Sequence, residues 1–157
     1  MKAMKLRPHH ILDIVTDHGA GKRFMPHPYG HSLHQVGPAV LAQPDRNVRL
    51  VLASDDICKG CIHLRRNGLC DDVLAQLNPS PSKQAYNDLL DARLFDRLKL
   101  KPGSIMSVRK YLEIVRKNLR GLEKICTHPK ENMKKRRVLL KKGLAKLKNF
   151  TPHLTVF

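Results

Sequence analysis

The chain has 157 residues, which is enough to bury one hydrophobic core and too few for two ordinary domains. Its 30 lysines and arginines against 13 aspartates and glutamates give a formal net charge of +17, and such a surplus usually meets a polyanionic partner. No apolar run is long enough to cross a membrane, and the amino terminus lacks the apolar stretch of a signal peptide. We therefore expect a single cytoplasmic domain over residues 1–157.

Apolar periodicity predicts two helices and one strand in the first part of the chain. The first helix spans 8–18, and Pro8 suits its first turn. A second helix over 31–43 is interrupted or kinked near Gly37 and Pro38. Residues 47–53 alternate as a strand does, and this is the single strand that the sequence predicts. It leads directly into a segment rich in cysteine.

Four more helices are predicted after that segment. They cover 71–77, 82–98, a long stretch from 104 to near Cys126, and about 129–149. The chain is therefore predicted to be mainly α with a minor β element, a single compact domain of about five to six helices around a cysteine-rich metal loop. The residues expected to begin these helices are Asp71 or Asp72, Ser82, Ser104 and Pro129.

Four cysteines carry the clearest chemical signal. Cys58 and Cys61 form a Cys-x-x-Cys motif, Cys70 follows soon after, and Cys126 stands far downstream. A turn of this spacing lets two thiolates bind one metal ion or cluster without strain. With no sign of an oxidising compartment, metal binding is favoured over disulfides, and a redox dithiol would leave Cys70 and Cys126 without a role.

The spacing favours an iron–sulfur cluster over zinc. Three clustered thiolates with a fourth from a distant segment are typical of cubane 4Fe–4S clusters, whereas structural zinc usually takes two matched pairs. We therefore expect Cys126 to be the fourth ligand, with His63 and His128 as competitors, and zinc remains the alternative metal.

Several histidines are candidates for catalysis near the metal. His9 and His10 are adjacent, and His31 and His34 share a helical face, so each pair can act on one site. Asp56 borders the cysteine segment and is a candidate acid or base over the cluster. The simpler interpretation is that these side chains cap helices and cover the surface.

The last predicted helix carries a basic band opposite its apolar stripe. Such a band is either a solvated face or a contact for the phosphate backbone, most readily of RNA. It has no aromatic stacking platform and no bulky anchors for a membrane surface. The lysines of this band are Lys134, Lys135, Lys141, Lys142 and Lys148.

Two strings of residues resemble a known family. The residues Leu-Arg-Pro-His-His-Ile-Leu at 6–12, followed by Asp-Asp-Ile-Cys-x-x-Cys at 55–61, resemble a prokaryotic domain of unknown function that is commonly labelled iron–sulfur binding. In that family a cysteine follows His-His-Leu-Leu, where this chain has Asp13. The resemblance implies that the missing ligand is supplied by Cys126 or by a histidine.

The same resemblance implies that Cys58, Cys61 and Cys70 are cluster ligands and that His9 and His10 line the site. It implies no reaction. We therefore expect an iron–sulfur cluster-binding cytoplasmic protein. Two alternatives stay open, namely a cluster- or metal-dependent enzyme acting on a nucleotide or RNA base, and a zinc-stabilised RNA-binding module.

Overall fold

A three-stranded sheet joins the amino terminus to the middle of the chain in the computed structural model, which describes residues 2–126 and 128–148. Its strands are β1 (Met4–Leu6), β2 (Asn47–Leu50) and β3 (Ile105–Ser107), in that spatial order. β1 runs parallel to β2, and β3 runs antiparallel to it. The parallel pair requires a crossover, and two helices supply it.

Five α-helices in the described residues form the rest of the domain, so the prediction of a mainly α fold with a minor β element is confirmed. None of them is long and apolar enough to cross a membrane. They are α1 (Pro8–Gly19), α2 (Leu33–Ala42), α3 (Lys83–Leu98), α4 (Val108–Lys117) and α5 (Met133–Lys148).

The core is aliphatic and is centred on α1. Ile11, Ile14 and Val15 are fully buried there, because the apolar residues of α1 recur at helical spacing. Tyr111 of α4 is also fully buried, and its hydroxyl donates a hydrogen bond of 3.0 Å to the Pro8 carbonyl. This bond satisfies the one polar atom of a large core side chain.

The closest helix contact in the fold lies between α1 and α5. A Cβ added at Gly143 would lie 1.9 Å from the Val15 carbonyl oxygen, and one at Gly19 would lie 2.0 Å from that of Leu139. The two backbones therefore touch directly, and only glycine fits at either point. The contact holds α5 with Leu140 and Leu144 buried beneath it.

The strand prediction is confirmed in part. β2 lies within 47–53 but ends at Leu50, and the sequence prediction missed β1 and β3. Each of the missed strands has three residues, which is too short for alternation to show. β1 is nevertheless well buried, because Leu6 is fully covered by the core.

The predicted helix over 71–77 is wrong. The backbone there bonds to distant segments: the Asp71 amide donates to the His63 carbonyl, and the Leu74 amide donates to the Pro81 carbonyl. Isolated bridges pair Leu64 with Cys70 and Val73 with Ser82. Asp71 and Asp72 therefore begin no helix.

Three helix boundaries also differ from the prediction. Ser104 precedes β3, and Ser107 is the residue whose hydroxyl caps α4, by accepting from the Lys110 amide at 3.0 Å. α4 ends at Lys117, and Gly121, with a φ of +86°, leads into a short 3₁₀ turn. α5 begins at Met133 and not at Pro129, whereas the predicted cap Ser82 is confirmed by a bond from the Ala85 amide.

Candidate metal centre

A cavity of about 100 Å³ gathers three of the four cysteines. Its walls come from the start of α1, from α3, from the loop before α2 and from the loop after β2. Because the thiols come from one short segment and the other donors from three further segments, the site exists only in the folded chain. The cysteines and histidines that line it are Cys58, Cys61, Cys70, His10, His31 and His63.

The segment 55–70, here called the cysteine loop, is built from tight turns. The Asp55 side chain accepts from the Ile57 amide and begins a short 3₁₀ turn that ends at Cys58. The Cys61 amide then donates to the Cys58 carbonyl at 3.0 Å, which curls the Cys-x-x-Cys motif back on itself. Gly60, with a φ of +83°, makes this turn possible.

A second loop, residues 27–32 and here called the histidine loop, is attached to the cysteine loop along its length. The Ile62 amide donates to the Tyr29 carbonyl at 2.8 Å, and the Ser32 amide donates to the Ile57 carbonyl at 2.8 Å. A Cβ at Gly60 would lie 2.6 Å from the Gly30 carbonyl oxygen, so the two backbones are in contact. These bonds bring the histidine loop, with His31, to the edge of the cavity.

Asp55 joins the cysteine loop to the His-His pair of α1. Its buried carboxylate accepts from the Arg7 amide at 2.8 Å and contacts His10 Nδ1 at 2.7 Å. The Cys58 thiol donates to its other oxygen at 3.5 Å. The two strings of the family resemblance, at 6–12 and 55–61, are therefore connected physically through one carboxylate.

Electrostatics around Asp55 favour an ion pair with His10. Burial acts to raise the pKa of the Asp55 carboxyl, but the neighbouring His10 and the Arg7 amide outweigh it, and this pKa lies below its ordinary value. Burial acts to lower the pKa of His10, but the Asp55 carboxylate prevails and raises it. Burial, followed by the charge of Asp55, raises the pKa of the Cys58 thiol to about 11.

Two histidines of the cavity lining have Nδ1 on a carboxylate, and His63 Nε2 also lies 3.8 Å from Asp72 Oδ1. His10 bonds Asp55 through Nδ1, and His63 bonds Asp71 through Nδ1 at 2.9 Å. A carboxylate on Nδ1 orients the ring and leaves Nε2 as a ligand, as in many protein metal sites. Asp71 is itself paired with Arg65, so the ring of His63 is held from outside the cavity.

The candidate metal ligands line one cavity, but their donor atoms do not converge on a single position. Within residues 2–126 and 128–148, no three side chains of His, Cys, Asp or Glu are arranged to hold a metal ion. All four cysteines are free thiols of intermediate burial. The cavity thus supplies a suitable set of donors, whose side chains must turn inward before they share a metal.

His9 faces a different environment from its neighbour. Its amide and Nδ1 contact Asp91 at 3.0 and 2.9 Å, and Arg7 donates to the same carboxylate at 2.9 Å and to Asp88 at 2.8 Å. Asp91 and Arg7 are almost fully buried. His9 therefore belongs to the ion-pair network that ties α1 to α3, here called the Asp91 network, and it is not in the lining of the cysteine cavity.

Cys126 lies apart from the other cysteines. It lines a neighbouring cavity of about 30 Å³ together with His9 and Leu122, and its sulfur is 3.7 Å from the Tyr86 hydroxyl. His128, a competitor for the fourth ligand position, contacts the Gln76 amide at 3.0 Å. The role of Cys126 as fourth ligand stays a prediction.

The two remaining catalytic candidates are also outside the lining of the cysteine cavity. Asp56 accepts from the Lys5 amide at 2.9 Å and pairs with Lys59 at 2.9 Å, which ties the cysteine loop to β1. His34 lies on α2, and its Nδ1 is buried without a hydrogen-bond partner in the described part of the chain.

The basic band falls on the outer face of α5. Four of its lysines are exposed, and none of these four forms an ion pair with another described residue. The side chain of Lys148 lies outside the described residues. The four described lysines of the band are Lys134, Lys135, Lys141 and Lys142.

Comparison with known proteins places the chain in a family. Searches among curated proteins and among solved structures found no match. A family model described as Protein of unknown function (DUF1284) matches residues 28–130, which contain the cysteine loop, residues 28–32 of the histidine loop and all four cysteines. The motif at 6–12 and helix α5 lie outside the matched residues. Because the match covers more than half of the chain, this protein belongs to the DUF1284 family of proteins of unknown function.

Proposed function

We propose that the protein binds an iron–sulfur cluster of the 4Fe–4S type in the cysteine cavity, through the thiolates of Cys58, Cys61 and Cys70. The supporting observation is that these three thiols line one cavity with three histidines, although the lining comes from four separate segments. Free, half-buried thiols of this kind persist in a reducing compartment, so we place the protein in the cytoplasm.

The donor set favours a cluster over a lone zinc ion. Only one Cys-x-x-Cys pair is present, and Cys70 has no partner at that spacing. Structural zinc sites usually combine two such pairs, whereas cubane clusters accept three thiolates from one region and a fourth ligand from elsewhere. A site of three cysteines and one histidine also suits zinc, so the metal has to be measured together with sulfide.

The fourth ligand in this proposal is a histidine of the cavity, His10 or His63. Both rings have Nδ1 on a carboxylate, which is the orientation that a metal ligand needs, and His63 would exchange the contact of its Nε2 with Asp72 at 3.8 Å for the metal. Cys126 sits in the neighbouring cavity beside Tyr86, so it would have to leave that position to reach the cluster.

Binding requires a local rearrangement of the thiols. Cys58 must give up its hydrogen bond to Asp55 and release its proton to solvent as the thiolate binds the metal. Its neighbours permit this movement, because Gly60 and Gly68 place flexible turns on both sides of Cys61. Closing the loop on a metal also adds binding energy to the stability of the folded state.

Single substitutions test the ligand set. We expect Cys58→Ala, Cys61→Ala and Cys70→Ala each to reduce the iron retained per chain by about tenfold or more, and to lower the melting temperature, because each removes a thiolate from a shared metal. Iron and sulfide are measured after anaerobic purification, and unfolding is followed by circular dichroism.

Cys126→Ala is the matched control, since it removes the remaining thiol of the chain without touching the cavity. Full iron and sulfide in this variant support a histidine as fourth ligand. A loss equal to that of the other three would restore Cys126 to the ligand set. If all four variants keep the metal content and stability of the parent, the cysteine cavity is not the site.

A further inference from the structure

Helix α5 carries a high density of positive charge. Eight lysines and arginines lie between Lys134 and Lys148, and no aspartate or glutamate follows Glu131 in the sequence. This segment lies beyond the residues that the family model matches. The charge is therefore a feature of the carboxyl-terminal part of this chain rather than of the matched region.

The basic residues on the inner side of α5 are used in packing. Arg136 pairs with Asp13 of α1, Arg137 lies 3.8 Å from Glu123, and Lys146 donates to the His18 carbonyl at 2.7 Å. Two of these contacts engage the carboxylates of Asp13 and Glu123. The four described lysines of the basic band are left without a carboxylate among the described residues.

These four lysines form two pairs that repeat along the helix. The pair Lys134 and Lys135 is followed seven residues later by the pair Lys141 and Lys142. Seven residues make about two helical turns, so the two pairs share a face and are separated by about 10.5 Å along the axis. The backbone contact through Gly143 holds α5 against α1, so the face is presented by a helix fixed in orientation. A fixed array loses little conformational freedom when it meets several phosphates together.

The structure argues against a membrane surface as the partner. A helix that lies on a bilayer inserts an apolar face, but Leu140, Leu144 and Leu147 are buried within the protein. On the outer face, Val138 is an exposed apolar residue between the two lysine pairs, and one valine is far too small an anchor. The exposed face of α5 is therefore mainly charged.

We propose that this face of α5 binds the phosphate backbone of nucleic acid without reading its sequence. Lysine supplies a point charge to phosphate oxygens, and four such contacts release condensed counterions on binding. The affinity for a duplex should then fall with salt at a slope of about −3.6 on logarithmic axes, from about 0.9 for each of four contacts. RNA and DNA duplexes share this chemistry and are separate arms of the test.

The test compares two double charge reversals with equal change in net charge. Lys134→Glu with Lys141→Glu alters the basic band, and Lys99→Glu with Lys101→Glu alters two exposed lysines after α3. Binding of labelled RNA and DNA duplexes is titrated from low to moderate salt. Circular dichroism and metal content establish that each variant is folded like the parent.

We expect the band variant to lose at least about tenfold in affinity at low salt and to make the salt slope shallower by about 1.8, because two phosphate contacts are gone. The Lys99 and Lys101 variant should lose less than about threefold through long-range charge alone. The variant Lys135→Gln with Lys142→Gln adds no negative charge, so it should also lose affinity for the duplexes, but by a smaller factor.

Three results would overturn the proposal. The first is no binding to either duplex at low salt. The second is an equal loss of affinity in both double variants, which would mean that binding depends only on the net charge of the protein. The third is retention on anionic phosphatidylserine vesicles, abolished in the band variant, without duplex binding. None of these results tests the proposed metal site, which is tested separately by measuring the metal content.

Discussion

Two buried carboxylates organise the site at the scale of single residues. Asp55 links the cysteine loop to Arg7 and His10, and Asp91 links α3 to Arg7 and His9. A buried charge is stable only when paired and hydrogen-bonded, and both residues meet this condition. The adjacent histidines of the resemblance motif are thus oriented by different acids, one facing the cysteine cavity and one facing α3.

The Asp91 network has a measurable effect on stability. We expect Asp91→Asn to lower the free energy of unfolding by about 3–5 kcal/mol at neutral pH, because it leaves the buried Arg7 guanidinium short of a counterion. Chemical denaturation of the anaerobically prepared protein measures it. Asp96→Asn, on the exposed side of α3, should change the same quantity by less than about 0.5 kcal/mol.

The same network predicts a dependence on pH. Burial acts to raise the pKa of Asp91, but the hydrogen bonds from His9 and Arg7 prevail and hold it below its ordinary value. A carboxyl with a lowered pKa stabilises the fold fully above its unfolded value of about 3.9 and loses this effect as the pH falls through the folded value. The wild type should therefore lose stability below about pH 4 more steeply than Asp91→Asn. Parallel acid titrations of the two proteins would contradict this.

Some of these roles can be read from sequence and others cannot. The cysteine spacing predicted that Cys58, Cys61 and Cys70 would come together, because a metal shell demands it. Asp91 carried a weaker signal, a carboxylate on the apolar face of a helix beside Leu90 and Leu94. Its partners stand more than 80 positions away, so only the packing of α3 on α1 could identify them.

At the scale of elements, α1 and α5 are joined by a contact that works against helix propensity. Glycine in a helix interior costs about 1 kcal/mol relative to alanine, so propensity alone predicts that Gly143→Ala stabilises the protein. The new methyl group would lie 1.9 Å from the Val15 carbonyl oxygen and would push the helices apart. We expect a net loss of about 1–3 kcal/mol in the free energy of unfolding.

Ala145→Gly provides the matched control on the exposed face of the same helix. It should cost about 1 kcal/mol through propensity alone. Thermal or denaturant unfolding measures both variants. A gain in stability from Gly143→Ala would show that α5 does not rest on α1 as described.

Elements were predictable where they are long and periodic. The predictions of α1, α2 and α3 are confirmed because each carries several turns of apolar residues, and Ser82 gave the start of α3. β1 and β3 were missed because three residues show no period. The helix over 71–77 was wrong because the composition suits a helix, while the backbone bonds of that segment go to His63 and Pro81.

At the scale of the whole molecule, the cysteine cavity and the basic band lie on different parts of the chain. The cysteine cavity draws mostly on residues within the matched family region, and the basic band lies on a helix beyond it. α1 lies between them, with His10 at the cavity and Gly19 against α5. This separation predicts that changes to the basic band leave the proposed metal site intact.

The most direct test of the central claim is the metal and acid-labile sulfide content of the wild-type protein after anaerobic purification, read together with its visible absorbance. We expect a brown protein with about four iron atoms and four sulfides per chain, and we expect both to be lost in Cys58→Ala. A folded protein that holds one zinc ion and no sulfide would contradict the cluster. A folded protein that holds no metal at all would contradict the metal centre itself.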